Sequence, residues 1–417
     1  MNLYRLELKR VCKTRMTAIL LAIALVLAVV MAYLPVTFIG WTELDASGNE
    51  VRYTGLKAIR KRQEQQVSGT ITPDVMQEAL EAYQRVYRQH DASSINDIPV
   101  EVFYKELARY QPLVNNAKEA FADSKTGMAP GVMGLTAEDM QNFYSQLPKR
   151  LESVIWLEQS GKPGYEQAQA IAQKKFDAVQ KPFTYSFGVS SDAMDYQTLL
   201  SLLLTLLCAV IAAPVFASDA QTGAQDIQLC TKNGGLRLAA AKLAAAFSIT
   251  GAAYLLCGVV WILVTNALFG WESTQTSVQW LFSVTSLLPY TVGQMEWVML
   301  VANFLIFFAE VAFVLMASVW AKNNLTALSV ALISVVAPLI VYMVVPGSFG
   351  EWLSTLIPAG GIGLSNALMY KMISFDFLYA GGHTFFQADV LLASAPVKIV
   401  LLVGLAAWGY LRKTKVA

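Results

Sequence analysis

The side chains most able to do chemistry in this chain are a few ionisable residues set among long apolar stretches. Residues 215–235, VFASDAQTGAQDIQLCTKNGG, place Asp219, Asp226 and Lys232 between two very apolar segments. Glu310 stands alone in the apolar sequence FLIFFAEVAFVL. Such carboxylates and amines can carry protons, hold cations or meet a partner protein, and the elements around them decide which.

Motifs of the common catalytic and nucleotide-binding sites are absent from the sequence. The phosphate-binding pattern G-x-x-x-x-G-K-[ST] does not occur, and the Gly-Lys pair at Gly161 and Lys162 is followed by Pro163. The sequence also lacks G-x-S-x-G, H-E-x-x-H and a Ser/Lys dyad. His90 and His383 are far apart, and the four cysteines match no zinc or haem spacing. We therefore expect a protein that is not an enzyme and holds no metal or cofactor itself.

The composition is that of a membrane protein. The chain of 417 residues is 55% hydrophobic and 15% charged, with a mean hydropathy of +0.45. Crossing a hydrocarbon core takes about 20 mostly apolar residues, because each backbone amide must find its partner within the helix. Six segments meet this condition. We call them spans 1 to 6 and predict them at residues 17–39, 198–217, 243–269, 297–320, 325–346 and 390–411.

Spans 1 and 6 each have a feature that is unusual for a membrane-spanning helix. Span 1 follows basic residues, as a secretory signal does, but its apolar run is about twice the length of a signal core and no cleavage site follows. Span 6 contains Pro396 and Lys398 near its outer end. We expect the Lys398 ammonium to extend along the helix to the membrane interface.

The distribution of basic residues predicts the orientation. Twelve Lys and Arg residues fall on one side of the six spans: Arg5, Lys9, Arg10, Lys13, Arg15, Lys232, Arg237, Lys242, Lys322, Arg412, Lys413 and Lys415. The two short loops on the other side hold only Lys371. The positive-inside rule then predicts a multi-pass protein of the cell membrane, here a bacterial plasma membrane, with both termini in the cytoplasm.

Residues 40–196, between spans 1 and 2, are long enough to form a domain with its own core, which we call the insert domain. It has 17 Lys and Arg against 21 Asp and Glu, so it offers no basic surface for nucleic acid. Apolar residues recur at helical spacing in two stripes: Met76, Leu80, Tyr83, Tyr87 and Ala168, Ala172, Phe176, Val179. Helix starts are indicated by Thr72 before a proline and by Thr136 with Asp139 in a capping box. We predict an extracytoplasmic, mainly helical domain.

The predicted fold is an all-α integral membrane protein. Residues 1–16 form an amphipathic segment before span 1, and residues 197–417 carry spans 2 to 6. In the first segment, Tyr4, Leu8, Val11 and Cys12 share one helical face, and Arg5, Lys9 and Lys13 another. This pattern is typical of a helix lying in the membrane interface, although basic residues that only hold the N-terminus inside would give it too.

Glu310 lies near the middle of span 4. A charge there costs at least a few kcal/mol, so we expect the side chain to face protein or water, or to be protonated. It is either a proton-linked residue in a cavity or one partner of a structural hydrogen bond. Asn303 and Asn266, in spans 4 and 3, are its expected polar partners.

The polar strip at residues 215–235 becomes the largest loop on the cytoplasmic side. We expect residues 217–224 to prolong span 2, residues 226–229 to form a short helix and residues 233–235 to close the loop. Ile227 and Leu229 would then be exposed apolar residues suited to docking against another protein. The alternative is that the aspartates only solvate a helix end and the glycines only turn the chain.

Residues at the inner ends of spans 2 and 3 match a known pattern. Phe216, Asp219 and Gly223 resemble the F-x-x-E/D-x-x-x-G pattern of the permease subunits of ABC-2 type transporters, six-span exporters of the type V kind. Lys242 stands where that family has a basic residue at the start of span 3. Asp219 takes the place of the commoner glutamate, and Ala224 that of a threonine.

Three further segments extend the resemblance over the spans, but not over the insert domain. Residues 1–16 are similar to the family's connecting helix, and residues 317–328, ASVWAKNNLTAL, to its short turn between spans 4 and 5. Residues 349–389, with LIPAGGIGLSNALMY, resemble its re-entrant outer helices. The agreement lies in the order of these features along the chain.

The resemblance implies an export function and specific roles for the loops. Loop 218–242 would carry a coupling helix received by a separate cytosolic ATPase, which would bind ATP and Mg²⁺. The implied coupling residues are Asp219, Gly223, Asp226, Ile227, Leu229 and Lys232. The implied outer gate consists of Pro358, Gly360, Gly361 and Gly363. Such permeases work as dimers, so a second copy or a paralogue is expected.

Two other functions remain open from the sequence. The chain could be a membrane-anchored receptor or assembly protein that works through its insert domain. It could also be an ion-coupled carrier centred on Glu310.

Overall fold

Six helices in the computed structural model, which describes residues 3–45 and 49–414, are long and apolar enough to cross a membrane. They are Arg15–Phe38 (span 1), Ser191–Thr222 (span 2), Leu236–Phe269 (span 3), Val292–Trp320 (span 4), Asn324–Val344 (span 5) and Gln387–Thr414 (span 6). Span 2 consists of the helices Ser191–Ala212 and Pro214–Thr222. Lys415 of the charge pattern lies outside the described residues. The chain is mostly helical and has the spans of a multi-pass membrane protein.

Most spans extend beyond the apolar runs that predict them. Span 4 begins at Val292, where Thr291 and Gln294 form a capping box. Span 2 begins where the Ser190 hydroxyl accepts a hydrogen bond from the amide of Ala193 at 3.4 Å. Hydropathy locates the apolar centre of a span, but polar first turns continue the helix. As a result, Glu296 lies inside span 4.

The loops sort onto two opposite ends of the bundle. The N-terminal helix Leu3–Cys12, the loop between spans 2 and 3, the turn between spans 4 and 5 and the end of span 6 share one end, which we call the basic face. There the Lys413 ammonium donates to the carbonyl of Val319 at 2.6 Å. The insert domain and the remaining loops occupy the other end, which we call the domain face.

Span 4 lies at the centre of the bundle, against spans 2, 3, 5 and 6. Two glycines let span 3 approach it closely. A Cβ atom on Gly258 would lie 2.3 Å from a methyl of Leu300, and one on Gly251 would lie 2.8 Å from the ring of Phe308. Small residues of this kind allow helix backbones to pack tightly where no hydrophobic effect drives association.

The insert domain is mainly helical, as the sequence predicts. Its longer helices are Leu56–Gln65, Pro73–Gln89, Gln111–Ala120, Phe143–Gln159 and Tyr165–Phe176, and the short Ala137–Gln141 precedes the fourth. All eight residues of the two predicted stripes are buried. Both predicted helix starts are confirmed: Thr72 accepts from the amide of Val75 at 3.4 Å, and Thr136 and Asp139 form a capping box.

The chain also contains short antiparallel strand pairs, which the all-α prediction missed. The pairs are Gly40–Leu44 with Glu50–Thr54, Gly69–Thr70 with Thr184–Tyr185, and Phe377–Ala380 with His383–Phe386. Each strand has two to five residues, too few for a periodicity to stand out from its surroundings. The second pair brings the start and the end of the insert domain together.

The insert domain is anchored on the loops of the domain face. The Gln63 amide donates to the carbonyl of Phe269, at the end of span 3, at 2.6 Å. The Gln159 amide donates to the carbonyl of Phe375, in the segment before span 6, at 2.7 Å. Since both donors are side chains of the insert domain, the domain is held against two different parts of the bundle.

Candidate functional site

The loop between spans 2 and 3 is a sharply folded elbow. Gly223 ends span 2 in the left-handed conformation, with φ of 71°, and the short helix Ala224–Leu229 follows. A Cβ atom on Gly234 would lie 1.7 Å from the carbonyl oxygen of Gln228, so only glycine closes the loop there. The extension of span 2, the short helix and the closing turn follow the order that the sequence predicts.

Span 2 changes direction before the elbow, and span 4 stabilises the break. Pro214 begins the second helix of span 2 and has no amide hydrogen to donate. The Ser318 hydroxyl of span 4 accepts from the amides of Phe216 and Ala217, each at 3.1 Å, and donates to the carbonyl of Ala213 at 2.6 Å. One hydroxyl therefore bonds to three backbone groups around Pro214.

Three charged residues meet at the base of the elbow, and we call them the elbow cluster: Arg10, Asp219 and Lys242. The Lys242 ammonium donates to Asp219 and is only 1% exposed. The Arg10 guanidinium donates to both Asp219 oxygens, at 2.9 and 3.0 Å, and to the carbonyl of Val215 at 3.0 Å. The cluster thus joins the N-terminal helix, span 2 and span 3 through one carboxylate.

Two more polar side chains complete the surroundings of the elbow cluster. Glu7 lies 2.9 Å from the Nε atom of Arg10. The Lys242 ammonium also donates to the side-chain oxygen of Gln228, in the short helix, at 3.0 Å. Two acids and two bases therefore balance at this site, and the short helix is linked to the start of span 3.

The residues predicted to couple with a partner fall into two environments. Asp219 is 7% exposed and fully engaged within the chain, so it lies at the base of the elbow and not on its surface. Ile227, at the tip, is 74% exposed, and Asp226 and Lys232 are exposed beside it. The prediction that Leu229 is exposed was wrong, because this side chain is half-buried and packs against the core.

The N-terminal helix packs along span 3. The Tyr4 hydroxyl donates to the Ser248 hydroxyl at 3.0 Å, and Val11 is buried. Cys12, predicted on the same apolar face, is exposed. The buried face of this helix is therefore narrower than the sequence pattern indicated, and its Glu7 and Arg10 serve the elbow cluster.

Glu310 is fully buried in span 4, but the partners predicted for it were wrong. Its carboxylate accepts from the Ser334 hydroxyl of span 5, and Lys398 of span 6 interacts with it electrostatically. Asn266 and Asn303 make no hydrogen bond to it. Its Oε2 atom has no hydrogen-bond partner among the described residues.

Glu296 is a second buried acid of span 4, and it is not among the residues predicted from the sequence. Its Oε2 atom accepts from the Asn266 amide at 2.6 Å, and its carbonyl accepts from the Gln197 amide at 2.9 Å. Spans 2, 3 and 4 therefore meet around Glu296. The signal that could have found it was the pair Thr291 and Gln294, a capping box that starts the helix before the apolar run.

Asn303 faces a small cavity between spans 2, 3 and 4, away from Glu310. It lines a cavity of about 10 Å³ together with Gln197, Ser201 and Tyr254. The hydroxyls of Ser201 and Tyr254 are hydrogen-bonded at 2.5 Å. This volume is about that of one water-sized probe, so the site is a small polar gap between spans 2, 3 and 4.

The predicted outer gate lies in the segment before span 6, at the domain face. The helix Gly347–Leu356 leads into the turn that holds Gly360, Gly361 and Gly363, all buried, and the helix Leu368–Ile373 follows. Pro358 is half-buried. A Cβ atom on Gly361, whose φ is 89°, would lie 3.1 Å from Ile306 of span 4 and 3.3 Å from Leu391 of span 6. The turn is therefore inserted between these two spans.

Lys398 caps this inserted segment. Its ammonium donates to the carbonyls of Thr355 and Ile357, at 2.9 and 3.2 Å, at the end of the helix Gly347–Leu356. The Ile357 carbonyl also accepts from the amide of Gly360, so Lys398 adds a second donor there and ties span 6 to the inserted segment.

No protein-family model matches this chain, and no curated protein sequence matches it.

The elbow cluster leads to a prediction about stability. Asp219→Asn should lower the free energy of unfolding by about 3–5 kcal/mol, because it leaves the buried Lys242 ammonium without its counter-ion. Denaturant unfolding of the purified chain in detergent micelles measures this change.

Asp226→Asn is the matched control, because Asp226 is exposed in the same loop, and it should shift stability by no more than about 0.5 kcal/mol. Adding Lys242→Met to Asp219→Asn should restore part of the loss. Equal effects of the two single aspartate variants would contradict the structural role of the elbow cluster.

The inserted turn leads to a second prediction. Gly360→Ala should destabilise the protein by about 1–3 kcal/mol, because its Cβ would lie 2.5 to 2.9 Å from the carbonyl oxygens of Ser354, Thr355 and Ile357. Gly404→Ala, in span 6, is the control, because no atom lies within 4 Å of its added methyl. Thermal unfolding of both variants measures the difference, and a control that loses as much stability would refute this explanation.

Proposed function

We propose that this chain is the membrane-spanning permease subunit of an ATP-binding-cassette exporter. In this proposal the basic face is cytoplasmic, the insert domain is outside the cell membrane, and a separate cytosolic ATPase supplies the energy. ATP and Mg²⁺ are bound by that partner, and this chain does no catalytic chemistry. The order of sequence features that resemble ABC-2 permeases gives the proposal its starting point.

The observation that carries the proposal is the elbow with its exposed tip. Ile227 is a large aliphatic side chain, 74% exposed, on the six-residue helix Ala224–Leu229. Acidic Asp226 and basic Lys232 lie exposed beside it. An exposed apolar residue with charged neighbours, on a short helix that is hydrogen-bonded to the bundle, is suited to bind in a groove of a partner protein.

The contacts at the base of the elbow supply a route for force. A force on the tip would act on Asp219, which is bonded to the N-terminal helix and to span 3. The same force would act on the second helix of span 2, which is bonded to Ser318 of span 4. Four elements would therefore move together. Closure of two ATPases would tilt the spans as rigid bodies, and the substrate path would form between this chain and a second copy or a paralogue.

Ile227→Asp tests the docking tip. We expect this variant to lose co-purification with the partner ATPase, because a carboxylate cannot enter an apolar groove without losing its hydration. The change should leave the melting temperature of the permease unaltered, since the side chain is exposed. Affinity capture of the tagged permease in detergent, followed by an ATPase assay, measures the complex.

Met128→Asp is the matched control for this experiment. Met128 is 72% exposed, but it lies in the insert domain at the opposite face, so capture of the ATPase should stay at the level of the unaltered chain. If Ile227→Asp retains full capture while Met128→Asp loses it, the docking site is on the insert domain and the proposal fails.

An ion-coupled carrier is the second candidate, and the orphaned oxygen of Glu310 is the observation that favours it. Under the exporter proposal, Glu310→Gln keeps an acceptor for Ser334 and should leave the ATPase rate of the reconstituted complex within about twofold, because a neutral amide fills the same buried space. A loss of more than about tenfold in an intact complex would assign the energy-coupling step to Glu310 and not to the elbow.

A further inference from the structure

A cavity of about 480 Å³ lies between the insert domain and the domain-face ends of the spans. Its wall comes from the helices Leu56–Gln65 and Gln111–Ala120, from residues 185–191 at the entry to span 2, and from the loop after span 3. Its volume falls within the range of sites that bind small molecules. None of its lining residues takes part in the elbow cluster or in the inserted turn.

Arg62 is a charged residue of this wall without a hydrogen-bond or ion-pair partner among the described residues. Among the described residues, none forms an ion pair or a hydrogen bond with its guanidinium, and its Nε atom is buried. The guanidinium carbon lies 4.3 Å from the ring centre of Phe187 and 5.9 Å from that of Trp41. Burial lowers the pKa of Arg62, but an arginine remains protonated at neutral pH.

A half-buried arginine without a counter-ion is costly, and two buried lysines of the chain each have one. Lys242 is paired with Asp219, and Lys371, 4% exposed, is paired with Asp376 at 3.2 Å. A buried cation without a counter-ion costs several kcal/mol unless another group supplies the negative charge. Arg62 is therefore placed to receive an anion from outside the chain.

The rest of the wall indicates what kind of anion fits. Phe187, Trp280 and Phe282 provide flat apolar surfaces, and Gln111 and Asn115 provide amide groups. The acid of the wall, Glu119, accepts from the Ser283 hydroxyl at 2.5 Å and makes no ion pair with Arg62. Burial raises the pKa of Glu119. Arg62 supplies the positive charge of the wall.

We propose that this cavity binds a small organic anion with a flat apolar body. The carboxylate, sulfonate or phosphate group of the ligand bonds to the Arg62 guanidinium, and its body packs against the half-buried rings of Phe187 and Phe282. This site does not depend on the exporter proposal, because none of the residues that carry it belongs to the elbow. In this arrangement the charge of Arg62 selects an anionic ligand, and the aromatic rings of the wall orient it.

The test compares 2-naphthoate with its neutral analogue 2-naphthamide on the full chain in lipid nanodiscs, by isothermal titration calorimetry. The unaltered chain should bind 2-naphthoate saturably and at least about tenfold more tightly than 2-naphthamide, since a charge-assisted hydrogen bond is worth that much. R62Q should weaken 2-naphthoate binding by about tenfold or more and leave 2-naphthamide unchanged. R60Q is the control, because Arg60 is exposed on the same helix.

A second variant guards against misfolding as an explanation. Asn115 is exposed and lines the cavity, so N115W should block entry of both probes while Arg62 stays in place. Three results would overturn the proposal: no saturable binding of 2-naphthoate to the unaltered chain, equal affinity for the two probes, or equal effects of R62Q and R60Q. Loss of ATPase capture by Ile227→Asp has no bearing on these results.

Discussion

The ion pair between Lys242 and Asp219 is the interaction on which the basic face depends. A lysine that is 1% exposed cannot keep its charge without a carboxylate in contact, so the start of span 3 must lie against the end of span 2. The same carboxylate has room for the Arg10 guanidinium, which fixes the N-terminal helix as well. A single acid therefore determines how three helices meet, and the direction of the elbow follows from their arrangement.

The rule that buried polar groups need partners accounts for other features of the bundle. Ser318 bonds to backbone groups on both sides of Pro214, and Lys398 bonds to two carbonyls at the end of the helix Gly347–Leu356. In each case a polar side chain from one span satisfies the backbone of another, since the hydrocarbon region offers no water. Arg62, on the insert domain, is the contrasting case, because its charge has no such partner within the described chain.

The sequence predicts the features that depend on short stretches of chain. Hydropathy alone locates six spans, and local hydrogen-bonding residues such as Thr72 mark helix starts, because both signals lie within a few turns of one helix. The pairing of buried polar groups could not be predicted in this way. Arg10 and Asp219 are 209 residues apart, and Asn266 bonds to Glu296 instead of Glu310. Such choices depend on how each helix is rotated about its axis, which only the packed bundle determines.

Gly223 and Gly234 have specific structural roles in the elbow. Gly223 permits one left-handed residue between two helices, and Gly234 permits a close approach to the carbonyl of Gln228. Gln228 is held a second time, because its side chain accepts from the buried Lys242 ammonium. The short helix that carries Ile227 is therefore tied to the start of span 3. Glycine here allows tight turns, while the hydrogen bond to Lys242 fixes the position of the helix between them.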